Sequence, residues 1–354
     1  MRACEPSQTD EEDGSVNEIT TLAIDLAKNV FQLHGVDSRG ACQLRKRLRR
    51  GQLLGFVAQR PPCLVAMEAC ASAHYWGREF IKLGHRVKLI PPQYVKPFVR
   101  GNKTDSNDAE GICEAALRPK MPSVAVKSVE QQAVLCEHRI RQLLESQRKQ
   151  LSNHLRGLLA EFGIVIPKSS AVLKKGLAEA IERAPARLRP VLNEAHQRLR
   201  DLQRQCQEQT RRIEQLAADT PLCQRFMKER GVGPIIASAY AATVGSPRHY
   251  HNGRQVSASL GLVPKQYSSG EEPQLLGISK RGDKYLRTLL IHGARSVVSR
   301  IDGRTDPLSV WLQGVVTRRG KNKAAVALAN KTARRLWAIW RDEAAELAPL
   351  VAMS

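Results

Sequence analysis

Ile19-Thr20-Thr21-Leu22-Ala23-Ile24-Asp25-Leu26-Ala27-Lys28 is a short apolar run with one carboxylate near its carboxyl end. It predicts a buried strand. Val30-Phe31-Gln32-Leu33-His34-Gly35-Val36 alternates and predicts the next strand, paired with the first as a hairpin. Leu64-Val65-Ala66-Met67-Glu68-Ala69 repeats the first pattern, again with one carboxylate near the end. Small residues follow, then a helix through about Leu83, then a strand over Arg86-Val87-Lys88-Leu89-Ile90 closed by Pro91-Pro92. This strand–helix–strand order implies a parallel crossover and an α/β sheet. In such sheets functional residues gather at the carboxyl ends of the strands, where Asp25 and Glu68 both fall. A carboxylate in an apolar strand is costly unless it binds a metal or is paired. A turn aspartate at a strand end is the plainer alternative.

Further on, Lys103-Thr104-Asp105-Ser106-Asn107-Asp108-Ala109-Glu110 reads as a polar loop entering a helix. Asp105 and Asp108 are three residues apart, so they share one helical face. Taken alone, they are also good helix-start residues. Taken with Asp25 and Glu68 they complete an Asp, Glu, Asp, Asp series on strand, strand and helix. Hard divalent cations want oxygen ligands, and Mg²⁺ takes carboxylates together with substrate phosphates. Two such ions about 3.5–4 Å apart stabilise both the attacking and the leaving oxygen of a phosphoryl transfer. Crowded carboxylates without a cation would repel and raise one another's pKa. The set therefore points to a metal site, with Mg²⁺ expected and Mn²⁺ as its substitute.

The chain has 354 residues, enough for two or three domains. It carries 56 Lys and Arg against 34 Asp and Glu, a net charge of +22, and a pI near 10.1. That balance favours a polyanionic partner, most often nucleic acid. No run of about 18 apolar residues is present, so no membrane span is expected. Residues 1–17 are acidic and polar and read as a disordered tail or an upstream start. The eight cysteines form no C-x-x-C pair and the histidines no zinc spacing, which fits a reducing cytoplasm.

From Ser128 to about Phe162 the pattern is helical, with apolar residues at Ile140, Leu144, Leu151, Leu155, Leu158 and Phe162. Leu188, Leu192, Ala195, Leu199, Leu202, Cys206, Gln209, Ile213 and Leu216 alternate spacings of four and three, a heptad seam. A long αα-hairpin or coiled coil is expected, joined by an irregular stretch from Gly163 to Pro185. The seam could pair within the chain or between chains. Gly231-Val232-Gly233-Pro234 resembles the turn of a helix-hairpin-helix, in which backbone N–H groups approach a phosphate, although a plain helix–helix turn reads nearly as well. Leu260-Gly261-Leu262-Val263-Pro264 runs strand-like through Tyr267 into Ser268-Ser269-Gly270. Ser268 and Ser269 fit an ordinary turn. The cations that follow, Lys280, Arg281, Lys284 and Arg287, could also activate a serine and hold a scissile phosphate. Arg318-Arg319-Gly320-Lys321-Asn322-Lys323 reads as a basic loop suited to nucleic acid. Trp337 and Trp340, in the helix after it, read as a core face.

Ala23 to Lys28, Ala66 to Ala69, Lys103 to Ala109, Leu260 to Pro264 and Ser269-Gly270 through Ile278-Ser279-Lys280-Arg281-Gly282 resemble the DEDD transposases of the insertion-sequence 110/1111 family. The resemblance spans about Glu18 to Trp340. It implies an N-terminal RuvC-like (RNase H) domain whose Asp25, Glu68, Asp105 and Asp108 match the family's metal-binding tetrad. It further implies a coiled-coil middle and a mostly helical C-terminal transposase domain, with the serine nucleophile at Ser269. The expected divisions are 18–126, 127–220 and 221–345. The family's partners are DNA at the element ends and target and a structured guide RNA. Its assembly is a homo-oligomer, a dimer or tetramer in which the metal domain of one subunit meets the serine domain of another, in the bacterial cytoplasm at the nucleoid.

The expected reaction is a transesterification through a covalent phosphoserine–DNA intermediate, giving excision and site-specific integration. Lys280, Arg281, Lys284, Arg287, Arg318 and Arg319 are the expected nucleic-acid contacts. The alternatives are a Holliday-junction resolvase or related metal-dependent nuclease, and a non-enzymatic nucleic-acid-binding scaffold.

Overall fold

A computed structural model describes residues 18–99, 105–167, 169–269 and 272–351. The side chains at 105–106, 170–175, 268–269, 272–273 and 345–351 lie outside that description. The expected acidic tail, Lys103 and Gly270 fall outside the described residues. The chain divides into two compact units, 1–128 and 129–354. Among the described residues no helix is long and apolar enough to cross a membrane.

The first unit is built on β1 (Thr21–Asp25), β2 (Val30–Val36), β3 (Cys42–Arg49), β4 (Leu64–Glu68) and β5 (Arg86–Ile90). Their order in the sheet is β3-β2-β1-β4-β5. β1 pairs antiparallel with β2, and β2 with β3, while β1–β4 and β4–β5 are parallel. The helices are α1 (Arg50–Ala58), α2 (Ala73–Lys82), a four-residue α3 (Pro92–Val95) and α4 (Asp105–Ala116). Strand alternation assigns the two faces. Leu22, Ile24, Phe31, Leu33, Val65 and Met67 pack beneath α1 and α2 with Leu53, Val57, Trp76 and Phe80. Ala23, Val36, Ala66 and Ile90 face Ile112, Cys113 and Ala116 of α4. Small residues at 23 and 66 let α4 lie close on that face. Asp25 and Glu68, each two residues beyond one of these alanines, project towards the same side.

β3 and α1 did not stand out in the sequence. Only Leu44 and Leu48 supply the alternation; Arg45, Lys46 and Arg47 lie between them and Arg49 follows. Partner strand β2 and the buried Leu48 hold the segment extended despite that composition.

In the second unit, α5 (Val129–Ala160) and α7 (Arg189–Asp219) pack along one another. Leu192, Leu199, Leu202, Cys206, Gln209 and Ile213 are buried as the heptad spacing predicts, and Gln209 Nε2 donates to Glu137 O at 3.4 Å. At the end of the seam Ala217, not Leu216, takes the buried place. The α5 pattern differs more. Leu155 is buried, but Ile140, Leu158 and Phe162 are 50%, 41% and 47% exposed. His138 and Ser152 occupy buried positions in their stead.

The stretch expected to be irregular contains α6 (Ser170–Glu182), whose Leu177, Ala180 and Ile181 pack on Leu155, Leu159 and Leu199. Gly176 and two lysines had obscured its spacing.

Beyond these lie α8 (Pro221–Met227), α9 (Pro234–Val244), α10 (Gly253–Ser259), the hairpin β6 (Pro264–Ser269) and β7 (Glu272–Ile278), and α11 (Lys284–Val298), α12 (Pro307–Arg319) and α13 (Lys321–Val351). The strand-like run expected from Leu260 begins only at Pro264. Phe226, Tyr240, Leu286, Leu290, Leu328 and Leu336 form the core. Trp337 belongs to it, with Nε1 donating to Pro247 O at 3.0 Å. The basic loop expected at Arg318–Lys323 is not a loop, because Gly320 alone separates α12 from α13. Its φ of +79°, which glycine adopts without penalty, allows the abrupt change of direction.

Candidate active site

Ile24 and Met67 are register partners on parallel strands, so Asp25 and Glu68, one residue further on, lie side by side at the carboxyl ends of β1 and β4. Both are half-buried. The Cys70 thiol, just past β4, is pushed above its ordinary pKa by burial, then by the charge of Glu68 and of Asp25. Both carboxylates thus bear on the Cys70 thiol.

α4 crosses the same sheet face, packed on β1, β2 and β4. Asp105 opens the helix, and its side chain is outside the description. Asp108, half-buried, stands one turn on. Among the described residues no three His, Cys, Asp or Glu side chains form a closed metal cage. Asp25, Glu68 and Asp108 nevertheless offer only hard oxygen donors, the first two at adjacent strand ends and the third on the helix packed against the same sheet face. This donor chemistry fits a divalent cation of the Mg²⁺ class.

The seat of α4 depends on Gly111. A Cβ there would come within 2.7 Å of Val99 Cγ2 and 3.2 Å of its backbone. Gly111→Ala is therefore expected to lower stability by about 1–3 kcal/mol, as overpacked sites do. Thermal denaturation checks it, and an unchanged Tm would show that the contact yields freely.

In the second unit, β6 ends at Ser269, paired with Glu272. The side chains of Ser268 and Ser269 lie outside the description, so only their place at the hairpin's far end is given. The base of the hairpin is described fully. Gly261 (φ +68°) and Gly282 (φ +77°) bring two backbone segments into contact: a Cβ on Gly261 would overlap Arg281, and one on Gly282 would overlap Ser259 O. Ser279 N donates to Val263 O at 2.8 Å and Lys280 N to Gly261 O at 3.1 Å. Asp283 caps α11, its Oδ1 accepting from Leu286 N at 2.7 Å.

Lys280, Arg281 and Lys284 are exposed around this base. Arg287, expected as a phosphate contact, is turned inward and 8% exposed. Its Nη1 donates to Leu260 O and to Arg281 O, each at 3.0 Å, so it braces the loop. Burial lowers its pKa from the ordinary arginine value. One helical turn after Asp283, its position looked exposed in the sequence; the inward reach of its long side chain was not legible there. Arg318 and Arg319 are exposed in the last turn of α12.

Sequence reasoning missed a cavity of about 910 Å³ beside the hairpin base, lined by Arg254, Lys323, Lys331 and Arg334 with Trp311 and Trp337 among its walls. Lys331 Nζ lies 4.8 Å from the Trp311 ring centroid. The lining residues are some 80 positions apart in the chain. The only advance signal was the spacing of Lys323, Lys331 and Arg334 along one face of α13.

A sheet of this order, with paired carboxylates at two strand ends and a third on the covering helix, fits a RuvC-like domain of the DEDD type, the metal-dependent kind that acts on nucleic acid. A DEDD transposase profile of the IS110 group, described as a transposase, matches residues 22–164. A second profile, described as the transposase IS116/IS110/IS902 family, matches residues 223–308. A protein of Pseudomonas aeruginosa named "Probable family 20 transposase" is 49% identical over 92% of this chain and 98% of its own length. The transposase for insertion sequence element IS1328 of Yersinia enterocolitica is 44% identical over 91% and 96%, and that for IS1111A of Coxiella burnetii 42% identical over 92% and 90%. The chain belongs to the IS110 family of transposases. It is an enzyme of DNA transposition, from a family that depends on a divalent metal.

Proposed function

We propose that this transposase excises and site-specifically integrates an insertion sequence by metal-assisted transesterification through a covalent phosphoserine–DNA intermediate, guided by a structured RNA. The observation that supports the reading best is the side-by-side placement of Asp25 and Glu68 beneath the helix bearing Asp108. Asp25, Glu68, Asp105 and Asp108 would hold Mg²⁺ or Mn²⁺. A cation there supplies Lewis-acid stabilisation of a phosphoryl transfer.

The rest falls to the chain's own groups. Ser269 Oγ loses its proton and forms a bond to phosphorus as the P–O3′ bond breaks, and the leaving oxygen takes up a proton to become the 3′-hydroxyl. The 5′-phosphoserine conserves the phosphodiester energy, so a second 3′-hydroxyl rejoins the strand without ATP. Lys280, Arg281 and Lys284 surround the hairpin base as phosphate-holding cations. The cavity lined by Arg254, Lys323 and Lys331 adds cations beside an aromatic wall, a combination that suits a nucleic-acid strand. Residues 18–126 serve as the metal-binding domain, 127–220 as a coiled-coil arm and 221–345 as the serine-bearing domain. A glycine-rich turn at 231–233 resembles a helix-hairpin-helix. The working form is a homo-oligomer, a dimer or tetramer.

Incubation with element-end DNA, guide RNA and Mg²⁺ is expected to yield a protein–DNA adduct that survives denaturation and is lost in Ser269→Ala. Cleavage without adduct, unaffected by Ser269→Ala, would instead establish a hydrolytic nuclease. Full function in Asp105→Ala would establish a scaffold.

A further inference from the structure

β3 forms one edge of the five-stranded sheet. Its register fixes which of its side chains share a face with the carboxylates. Asp25 is paired with Gln32, and Gln32 with Arg47. Glu68 lies beside Asp25 on the other flank. Directly opposed residues project to the same side of a sheet, so Arg47, Gln32, Asp25 and Glu68 form one rung on the α4 face. The Val30–Arg49 and His34–Arg45 pairs place two more arginines on that face, on either side of the rung.

The other face of β3 is used differently. Leu48 is in the core, Lys46 Nζ lies 4.8 Å from the Phe56 ring centroid, and the guanidinium of Arg50, just beyond β3, lies 5.3 Å from that of Trp76. Arg45, Arg47 and Arg49 are all exposed. Arg45 is shared with Glu110 at 3.2 Å. No Asp or Glu occurs between Asp37 and Glu68, while seven Lys and Arg do.

We propose that Arg47 and Arg49, assisted by Arg45, form a phosphate track that leads a DNA strand from the sheet edge onto the carboxylate site. The proposal rests on the reading of Asp25 and Glu68 as the place where DNA is cut. With strands spaced about 4.8 Å apart, the Arg47 backbone lies roughly 10 Å from that of Asp25. This is a short step along a nucleic-acid backbone. Arginine suits such a track because its planar fork binds phosphate with two donors and stays charged. Charges on an edge strand also deter edge-to-edge pairing of sheets. That role would be served by either face, whereas a track to the carboxylates needs only one.

The test compares two double variants of equal charge on one segment: Arg47→Gln/Arg49→Gln on the carboxylate face, and Lys46→Gln/Arg50→Gln on the other. Binding of the full chain to a fluorescein-labelled DNA duplex is followed by anisotropy across a salt series, without divalent cation. The arginine pair is expected to weaken binding about tenfold and to reduce the log–log salt slope by about 2, against less than a twofold loss for the control pair, with Tm confirming that both fold. Equal losses in both pairs, or normal affinity in the arginine pair, overturn the track. So does a loss seen with a structured RNA probe and not with DNA. Asp25→Asn is carried in parallel for DNA cleavage. If that variant still cuts, the carboxylate reading fails; if it is inactive while the arginine pair binds normally, the track alone fails.

Discussion

Asp25→Asn is expected to reduce DNA cleavage by about 10³-fold, corresponding to about 4 kcal/mol of transition-state stabilisation. The substitution is nearly isosteric and removes one negative charge from a half-buried position beside Glu68. An amide oxygen remains a ligand in shape but is a much poorer partner for a hard dication. The fold should be insensitive, because the β1 backbone pairings to β2 and β4 do not involve this side chain. A Tm within a few degrees of wild type, together with the loss of cleavage, is therefore the diagnostic pair. Cleavage within tenfold of wild type would remove Asp25 from the reaction. In the wild type, chelation of divalent cations with EDTA should have the same effect, reversed by added Mg²⁺ or Mn²⁺.

The second large effect is on stability, and it depends on pH. His138 on α5 is 1% exposed. Its Nδ1 lies 3.0 Å from the Tyr285 hydroxyl on α11, and its Nε2 lies 3.0 Å from Ser238 Oγ on α9. Ser238 Oγ donates to Pro234 O at 2.8 Å, so it accepts from His138 Nε2–H, leaving Nδ1 to accept from Tyr285. Arg141, which also donates to Thr210 Oγ1 at 2.9 Å, hydrogen-bonds Tyr285 and opposes any charge on the ring. Burial and then Arg141 bring the His138 pKa down from 6.5 to about 4.

Below pH 6.5 the unfolded chain takes up a proton that the folded chain refuses. This contribution to stability is thus complete above that pH and declines as pH falls towards 4, by about 3 kcal/mol in all. Urea denaturation of the wild type and of His138→Gln between pH 7 and 5 should show it. The variant is less stable at pH 7 but loses about 2 kcal/mol less than the wild type on acidification to pH 5. Parallel curves for the two proteins would remove His138 as the source.

Much of this was legible in local pattern. The strands bearing Asp25 and Glu68 announce themselves as apolar runs that tolerate one acid, and neighbouring strands in a parallel sheet end together. The α7 seam was readable because a heptad needs only its own spacing. What failed did so for lack of partners. β3 is extended because β2 is beside it, and its arginine-rich sequence says nothing of that. The apolar residues of α5 predicted a seam, yet α9 and α11 also pack on this helix, and their Ser238 and Tyr285 bury His138 while Ile140 stays exposed. Arg287 could not be told from a phosphate ligand until the carbonyls of Leu260 and Arg281 were in place. Sequence shows that a cation is present; only the fold shows whether it faces water.

The hairpin that ends at Ser269 has one further consequence. Its Tyr267, Leu275 and Leu276 are 71%, 66% and 50% exposed, so the two strands bury little apolar surface of their own. A two-stranded ribbon is marginally stable in water without a covering surface. Its root, by contrast, is locked by Gly261, Gly282 and Arg287. The ribbon therefore resembles a trigger on a fixed mount. A surface that covered Tyr267, Leu275 and Leu276 would therefore add order to the ribbon and little to its root.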